Sequence, residues 1–575
     1  MKYSLAARRS PAAWITLLTV LRTAALLAQS PETPADSSEI FAETVDVNLV
    51  NVEVMVTDKK GVPIAGLSRE DFEVYEDGRP VEITNFYARQ MAMTPAPKLG
   101  ERKAVAPGME QPPHSEASTA IAPPEDQRLN LVVFIDNFNV RPLDRNRVLG
   151  KVRTFLFENV RAGDRVMLVS YNRSIKVERP LTSDLNSVSD ALSEMESISG
   201  HRSGADAERR DLITEIERSK PEERTQLVHR IRQHAQSLAN DLAFTIDGLK
   251  NFLGPLSGLP GRKAILHVSN GFPMIPAEDL FYAVQQRHDD VSVLGEIRAF
   301  DVSRRIEELA AAANANRVTF YAIDASGLRA YGADGAERKG GGWETIGPEI
   351  DSMHVANLQS PIRFLADATG GLAVFNTNDI GPGLRGIGGD FSSYYSLGFE
   401  PAHRDDGRYH KVEVRVLRED LLVRHRSGYR AKSVENQMVD GTTSALLYGV
   451  DTNPARVTFE VETQERREEG LFLVTLLIRV PFDRLTLVPQ GEQYRGQLRV
   501  FVSVMDEKGA MSPVERSDVP VRIPAEYLQA ALGDSLTYET SLVMRPGRHR
   551  VAIGLRDDLG YTDSFVTGYV AVGAG

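Results

Sequence analysis

An apolar run that ends in a carboxylate constrains the fold of this chain more than any other segment. Residues 130–139 read Asn-Leu-Val-Val-Phe-Ile-Asp-Asn-Phe-Asn, so the run leads directly into Asp136. A short, continuous apolar run of this kind is typical of a strand buried on both faces of a parallel sheet. Because sites in open α/β sheets form outside the carboxyl ends of the strands, Asp136 is a candidate site residue.

The same pattern recurs along residues 128–400, with helical periodicity between the apolar runs. The further strand candidates are 165–171, 263–269, 317–323 and 372–376. The helix candidates are 143–158, 184–198, 225–253, 301–315 and 360–368. Alternating strands and helices predict an α/β fold, with a mostly parallel, doubly wound sheet and helices on both faces.

A segment rich in charge interrupts this alternation. Charged residues dominate 200–226, and apolar residues then recur on one helical face. These residues are Ile231, Leu238, Thr245 and Phe252, together with Ala235, Leu242 and Leu249. The pattern predicts a helical insertion over about 200–253, with one long amphipathic helix packed on the sheet; a partner-binding helix is the alternative. Pro221 either begins this helix or separates it from a preceding one.

Alternating strands of period two flank the central region. Residues 40–90 are predicted to form a small β-sandwich-like domain, and the Pro- and Ala-rich residues 91–127 a disordered linker. A hairpin-like pair is predicted at 410–418 and 421–430. Seven further strands predict a C-terminal β-sandwich over 450–575: 456–463, 471–480, 497–505, 518–523, 538–544, 549–556 and 565–572.

The N-terminus has the composition of an export signal. Lys2, Arg8 and Arg9 precede an apolar stretch at 12–28 that ends in small residues. We expect a signal peptide over 1–28, with cleavage after Ala28, and hence a periplasmic or extracellular protein. An uncleaved membrane anchor is one alternative, and a twin-arginine signal at Arg8-Arg9 is another. No other segment is apolar over the length needed to span a bilayer.

Composition and motifs argue against several classes of function. A net charge of −12 gives no support to nucleic-acid binding, and the lack of cysteine excludes disulfides, thiolate zinc sites and a cysteine nucleophile. The chain has no His-Glu-x-x-His, Gly-x-Ser-x-Gly or P-loop motif, and its histidines do not cluster at ligand spacing. Residues 381–386 match Gly-x-Gly-x-x-Gly in a context that favours chance. We therefore expect no enzymatic activity.

The central region resembles a von Willebrand factor type A domain, and residues 40–432 together resemble the VWFA-related family named for acidobacterial members. Several weak motifs carry this resemblance through their order and number. They include Val56-Thr57-Asp58, Asp71-Phe72, Glu76-Asp77-Gly78, Leu131 to Asp136, Gly163-Asp164-Arg165-Val166, Leu259-Pro260-Gly261-Arg262-Lys263, Ser269-Asn270-Gly271-Phe272-Pro273, Phe320 to Asp324, Ala368-Thr369-Gly370-Gly371, Ser393-Tyr394-Tyr395, Gly398-Phe399 and Gly428-Tyr429. The resemblance implies a Rossmann-like sheet used for adhesion or assembly.

The resemblance also implies a metal-ion-dependent adhesion motif, which this sequence keeps only in degenerate form. Its first carboxylate matches Asp136, but its two hydroxyl positions hold Phe138 and Val140, and its second acidic position holds Asn270. A hard cation needs oxygen ligands, so we expect no cofactor, or at most weak Mg²⁺ binding at Asp136. Asn137 and Asn139 offer amide oxygens at offset positions, and Asp324 ends the strand at 317–323.

The expected function is therefore protein binding or adhesion by an exported, non-enzymatic protein. Asp136, Asn137, Asn139, Asn270 and Asp324 are predicted to form its binding face, at the sheet edge where the strands end. The partner would be a protein or another component of the cell envelope, with membrane contact only through an uncleaved signal. The alternative is a structural scaffold in which the central domain is a spacer, and an enzyme is a third possibility.

Overall fold

The computed structural model of the chain describes residues 49–89, 128–198, 202–328, 348–403, 406–449 and 452–573. The predicted signal peptide at 1–28 and the linker at 91–127 lie outside the described residues. The chain divides into two compact units, Asn48–Ser433 and Val434–Gly575. Among the described residues, no helix combines the length and the apolar character that crossing a membrane requires.

The first unit contains fourteen strands among its described residues. They are β1 (Val50–Thr57), β2 (Phe72–Glu76), β3 (Arg79–Val81), β4 (Ile83–Arg89), β5 (Leu129–Asp136), β6 (Arg165–Tyr171), β7 (Ile175–Thr182), β8 (Arg262–Ser269), β9 (Val318–Asp324), β10 (Ala373–Val374), β11 (Tyr394–Phe399), β12 (Tyr409–Val416), β13 (Leu422–His425) and β14 (Gly428–Arg430).

Helices connect most strands of the central part. They are α1 (Pro142–Asn159), α2 (Leu185–Met195), α3 (Arg202–Arg218), α4 (Arg224–Leu256), α5 (Glu278–His288), α6 (Ser303–Ala315), α7 (Pro348–Ala368) and α8 (Gly381–Ser392), with 3-10 turns at Arg69–Asp71, Pro221–Glu223 and Val291–Phe300.

The central sheet has six strands in the order β10-β9-β8-β5-β6-β7. The first five run parallel, and β7 runs antiparallel to β6 at the edge. The predicted mixed α/β fold with a mostly parallel sheet is confirmed at this level. Strand β7 was not predicted, because none of its eight residues is buried and it lacks the apolar run of its neighbours.

Helices cover both faces of this sheet. On one face, Leu131 and Ile135 share an apolar core with Leu149 of α1 and Ile387 of α8. On the other face, the Phe134 ring lies 6.1 Å from the ring of Phe252 in α4. The predicted packing of the long amphipathic helix on the sheet is therefore confirmed.

The charged segment before α4 is itself helical. It forms α3, and Pro221 lies in the 3-10 turn that separates α3 from α4. Of the two roles predicted for Pro221, separation of two helices is the one observed.

The N-terminal strands do not form a domain by themselves, so the predicted boundary between 40–90 and 128–432 is wrong. Strand β1 pairs with β11 and β13, β4 pairs with β11, and β2 pairs with β12. The two resulting sheets, β13-β1-β11-β4 and β14-β12-β2-β3, share one apolar core. Residues 394–430 thus complete a β-sandwich that residues 50–89 begin, because the early strands need partners for their backbone groups.

The predicted hairpin-like pair at 410–418 and 421–430 is only partly correct. Strand β12 pairs with β14. Strand β13, which lies between them in sequence, pairs with β1 in the opposite sheet.

The second unit begins with a helix and continues as antiparallel strands. The elements are α9 (Val434–Tyr448), β15 (Thr458–Arg466), β16 (Phe472–Pro481), β17 (Val488–Gln490), β18 (Gln493–Met505), β19 (Glu515–Pro524), α10 (Leu528–Ala531), β20 (Ser535–Met544), β21 (Gly547–Asp557) and β22 (Thr562–Val572), with 3-10 turns at Glu468–Gly470, Phe482–Arg484 and Ala525–Tyr527.

All seven strands predicted after residue 452 are present, and they form two sheets around one core. The sheets have the orders β15-β16-β20 and β17-β18-β21-β22, with β19 paired to β18. Side chains from both sheets, such as Leu476 and Ile553, are fully buried in this core. Helix α9, which precedes the predicted start at 450, packs on β21 through Ala445 and Leu446.

Candidate functional site

Asp136 ends β5 and is fully buried. Its Oδ1 accepts hydrogen bonds from the backbone N–H of Asn139 at 3.1 Å and from Asn139 Nδ2 at 3.2 Å. Its Oδ2 accepts from Asn139 Nδ2 at 2.9 Å and from Ser269 Oγ at 3.0 Å. The carboxylate therefore joins its own loop to the end of the neighbouring strand β8.

Burial dominates the electrostatics of this carboxyl group. It raises the pKa of Asp136 to about 6, although the hydrogen bonds from Asn139 and Ser269 and the charge of Arg202 oppose the shift. Nε2 of the His267 ring lies 3.8 Å from Asp136 Oδ2. Burial lowers the pKa of His267 to about 4. At neutral pH the pair is thus a carboxylate beside a neutral imidazole.

Asn137 takes part in a second buried contact. Its Oδ1 accepts a hydrogen bond of 2.9 Å from Nη1 of Arg145, which is fully buried although it lies in α1. The same guanidinium donates through Nη2 to the backbone oxygen of Ile198 at 2.8 Å. Arg145 therefore connects the loop after β5 to the residues that follow α2.

Asn270 and Asp324 also take part in hydrogen bonds within the fold. Asn270 Nδ2 donates to Asp144 Oδ2 at 2.7 Å. Asp324 Oδ2 accepts from Gln359 Nε2 of α7 at 2.8 Å, and its Oδ1 accepts from the backbone N–H of Ser326 at 2.9 Å. Both residues fix the loops that follow their strands.

The five predicted face residues are brought to one sheet edge, but none is exposed. The exposed fraction is 0% for Asp136, 1% for Asn137, 8% for Asn139, 3% for Asn270 and 2% for Asp324. Helix α3 contributes to the cover, since Arg202 Nη1 donates to the backbone oxygen of Gly271 at 3.3 Å. Any partner must therefore contact residues that lie above this layer.

The residues around Asp136 do not fit a Mg²⁺ site. The groups within hydrogen-bond distance of its oxygens are N–H and O–H donors, whose hydrogens occupy the directions that a cation would need. Val140 is fully buried in the apolar core, and the Phe138 ring lies edge-on to Tyr171 at 6.4 Å. These two residues replace the hydroxyl ligands of the resembled motif with apolar packing.

Two exposed apolar side chains lie in the segments that follow β5 and β9, one in a helix and one in a loop. Leu143, in the first turn of α1, is 85% exposed, and Leu328, after β9, is 64% exposed. Arg147 lies one helical turn from Leu143, and its Nη2 donates to the backbone oxygen of Ala325 at 2.5 Å. A Cβ added at Gly327 would lie 2.7 Å from the same Nη2. Leu143, Arg147 and Leu328 together are called the edge patch below.

An ionic cluster adjoins this edge beneath α3. Arg209 Nε lies 2.6 Å from Asp279 Oδ2, and its Nη2 lies 2.9 Å from Asp351 Oδ1. His354 Nδ1 lies 3.4 Å from Asp279. Burial by itself would raise the pKa of Asp279. The contacts with His354 and Arg209 have the larger combined effect, so the pKa is lowered. The cluster holds α3 against α5 and α7.

Sequence reasoning missed several residues of this network. Ser269 precedes Asn270 at the predicted strand end, so its position could have been recognised. Arg145 and Gln359 lie within helices, where a polar residue is usually exposed. No local signal marks them as buried partners of a distant loop.

Comparisons with known proteins give little beyond this geometry. No protein-family model matches the chain, and no curated protein matches it. Among solved structures, an aerotolerance-related membrane protein from Bacteroides fragilis is 11% identical, with 46% of this chain and 98% of that chain covered and a TM-score of 0.21. BatB from Bacteroides thetaiotaomicron is 13% identical, with 46% and 97% covered and a TM-score of 0.21. An uncharacterized membrane spanning protein from Vibrio fischeri is 14% identical, with 43% and 91% covered and a TM-score of 0.12. Similarities of this strength assign no function.

Proposed function

We propose that this chain is an exported, non-enzymatic protein-binding module whose central region is a von Willebrand factor type A-like domain. Its partner is a protein of the cell envelope, which contacts the edge patch without a bridging metal ion. The observation that carries the proposal is the exposure of Leu143, in the first turn of α1, and of Leu328, in the loop after β9, at one sheet edge. Covering a large apolar side chain of this exposure by a partner removes its surface from water, which favours binding.

The position of the patch in the fold supports this proposal. Ligands of open α/β sheets bind outside the carboxyl ends of the strands, and Leu143 and Leu328 follow β5 and β9 at that edge. Single exposed apolar residues are ordinary on protein surfaces. Arg147, an interface-favoured residue type, links these two: it lies one helical turn after Leu143, and its guanidinium donates to the backbone oxygen of Ala325 in the loop that leads to Leu328.

The buried layer below the patch supports a rigid binding surface. Asp136, Asn270 and Asp324 each hydrogen-bond to another element or loop, so the loops that carry the patch are held in one arrangement. A preformed surface loses less conformational entropy when it binds. In this proposal the hydrogen-bonded geometry of the edge fixes the shape of the surface, and the partner never contacts Asp136.

Site-specific photo-crosslinking tests the proposal. A benzophenone amino acid is placed at Leu143 in one variant, at Leu328 in a second, and at Leu417 as a control. Leu417 is 59% exposed and lies at the end of β12, in the β-sandwich. After incubation with an envelope extract of the source organism and irradiation, Leu143 and Leu328 should give the same adduct, identified by mass spectrometry.

The pattern of adducts decides the outcome. A common adduct at Leu143 and Leu328 that is absent at Leu417 supports recognition at the edge patch. Equal adducts at all three positions, or an adduct only at Leu417, would contradict it. Any truncated version must keep residues 48–433 rather than 128–432. The reason is that strands before the central sheet in the chain pair with strands after it.

A further inference from the structure

Four ligand-type side chains meet in the first unit's β-sandwich, one from an early turn and three from a much later segment. Asp77 lies in the turn between β2 and β3, while His403 and Asp406 lie between β11 and β12, and His410 is in β12. Asp77, His403 and His410 each present one ligand atom, and these atoms all lie within 4.8 Å of one another. The expectation that no histidines cluster at ligand spacing is therefore wrong, because folding brings Asp77 to two histidines seven residues apart.

The central residue of this cluster is His410, whose two ring nitrogens each face a carboxylate. Nδ1 lies 2.8 Å from Asp77 Oδ2, and Nε2 lies 3.2 Å from Asp406 Oδ1. The His403 ring stacks on the His410 ring with centroids 4.9 Å apart. His410 is 5% exposed, whereas Asp77 and His403 are open to solvent. The cluster thus has one fixed buried member and an accessible side.

The surrounding backbone holds Asp77 in place. Its N–H donates to the backbone oxygen of Lys411 at 2.9 Å, and its Oδ1 accepts from the Lys411 N–H at 2.9 Å. Its φ of 48° is the left-handed conformation that a tight Asp-Gly hairpin turn requires. These contacts use Oδ1 and leave Oδ2 directed at His410.

A buried glutamate holds the other side of the cluster. Glu76 is 2% exposed and accepts hydrogen bonds from the Tyr429 hydroxyl and from the Ala402 N–H, the latter at 2.9 Å. Ala402 directly precedes His403, and the Tyr429 ring lies 5.5 Å from the His410 ring. The turn and the loop that carry the ligands are therefore positioned by partners outside the ligand set, as is usual for metal sites.

We propose that Asp77, His403 and His410 bind a borderline divalent cation of the Zn²⁺ type, with Asp406 orienting the His410 ring through Nε2. Imidazole nitrogens with a carboxylate oxygen suit such an ion better than Mg²⁺ or Ca²⁺, which prefer oxygen ligands alone. A ligating histidine that bonds through its other nitrogen to a carboxylate is a recurrent arrangement. Tetrahedral Zn²⁺ holds its ligand atoms about 3.4 Å apart, and the three ligand atoms already lie within 4.8 Å of one another, so a small movement of exposed His403 can complete the set.

The bound ion would tie the β2–β3 turn to the β11–β12 loop. Because binding favours the folded state over the unfolded state, Zn²⁺ should raise the thermal midpoint of the first unit. This site lies in the β-sandwich, and the inference does not depend on the edge patch or on the proposed function.

Calorimetric titration with Zn²⁺ tests the site. The protein is the full chain without a polyhistidine tag, stripped of metal, and its variants are His403→Ala and Asp77→Asn. His229→Ala is the matched control, because His229 is an exposed histidine in α4 outside the cluster. We expect one equivalent of Zn²⁺ to bind the parent and the control, and binding to weaken by at least about 10-fold in each cluster variant.

Two further measurements keep the result interpretable. Far-UV circular dichroism checks folding, and both substitutions are at exposed positions, so a folded variant is expected. Co²⁺ absorption of the parent should show the intense bands of a tetrahedral site, and excess Mg²⁺ should not displace the ion. Absence of Zn²⁺ binding at micromolar concentration, or binding that both cluster variants retain unchanged, overturns the proposal and leaves a hydrogen-bonded His–Asp pair.

Discussion

Ser269 Oγ donates a hydrogen bond of 3.0 Å to Asp136 Oδ2, across the ends of two neighbouring parallel strands. Ser269 Oγ in turn accepts from the Gly271 N–H at 3.1 Å. The carboxylate is thus a fixed link between the loops after β5 and β8. An acidic group at this sheet edge suggests a ligand site, yet here its contacts lie within the fold.

Replacement of Asp136 by Asn should weaken the pH dependence of the free energy of unfolding between about pH 4 and 6. The folded-state pKa of about 6 lies above the ordinary value of 3.8, so between these values the folded state binds more protons than the unfolded state. Stability contributed by this group therefore falls as pH rises from about 4 to 6, by up to about 3 kcal/mol. Urea unfolding across this range should show a flatter profile for Asp136→Asn than for the parent.

A matched carboxylate controls that experiment. Asp211→Asn removes a carboxylate at an exposed position of α3 and controls for the loss of one acidic group. A pH profile of Asp136→Asn that falls as steeply as that of the parent between about pH 4 and 6 would contradict the assignment of this dependence to Asp136.

Removal of the Arg209 charge should be strongly destabilising. Arg209→Met leaves Asp279, whose side chain is 3% exposed, without its closest cationic partner. Removing one member of a buried ion pair lowers the free energy of unfolding by about 3–5 kcal/mol. The adjacent substitution Arg210→Met, on an exposed residue of the same helix, should change the free energy of unfolding by less than about 0.5 kcal/mol. Equal losses in the two variants, measured by urea unfolding, would show that the Asp279 contact contributes little.

Lys263 should make stability rise with pH above neutrality. Its Nζ donates to the backbone oxygen of Leu259 at 2.9 Å, but burial lowers its pKa to about 7, and the nearby Arg317 adds to this shift. Between pH 7 and 10.5 the unfolded state binds more protons than the folded state. Folded stability therefore increases across this window, by up to about 5 kcal/mol for this group.

The substitution Lys263→Met isolates this effect. The difference in unfolding free energy, parent minus variant, should grow as pH rises from 7 to 10.5, measured by denaturant titration at constant ionic strength. A difference that stays constant over this range would mean that Lys263 remains protonated in the folded protein.

The parts of the fold that sequence predicted are those with local signals. Strand β6 was placed at its observed residues and β9 within one residue, because a continuous apolar run marks a buried strand. Strand β7 lacks that signal, since its charged residues line an edge. Helix α3 lies within the helical insertion predicted over about 200–253, but its bounds were not predicted, because charge dominates its sequence and only one face is buried.

Long-range pairing was the part that the sequence could not supply. Val54 pairs with Tyr395, and no local pattern links two residues more than 300 positions apart. The same limit applies to the site. The pattern predicted that Asp136, Asn270 and Asp324 lie at one edge, but not that α3 and the loop network bury them. The cluster of Asp77 with His403 and His410 was missed because it depends on this pairing.

The most direct test of the proposed function is capture of the partner by the double variant Leu143→Glu/Leu328→Glu. The full chain is immobilised as bait and incubated with the envelope extract. The quantity measured is the amount of captured partner, as identified by crosslinking. Leu417→Glu is the control variant. Charges at the edge patch should reduce capture by at least about 10-fold, since a buried unpaired charge costs more than 1.4 kcal/mol. Capture by the parent should be unchanged by EDTA. Full capture by the double variant would contradict recognition at this edge. Loss of parental capture in EDTA would contradict its metal independence if His403→Ala, which lacks the proposed Zn²⁺ site, captures the partner as well as the parent does.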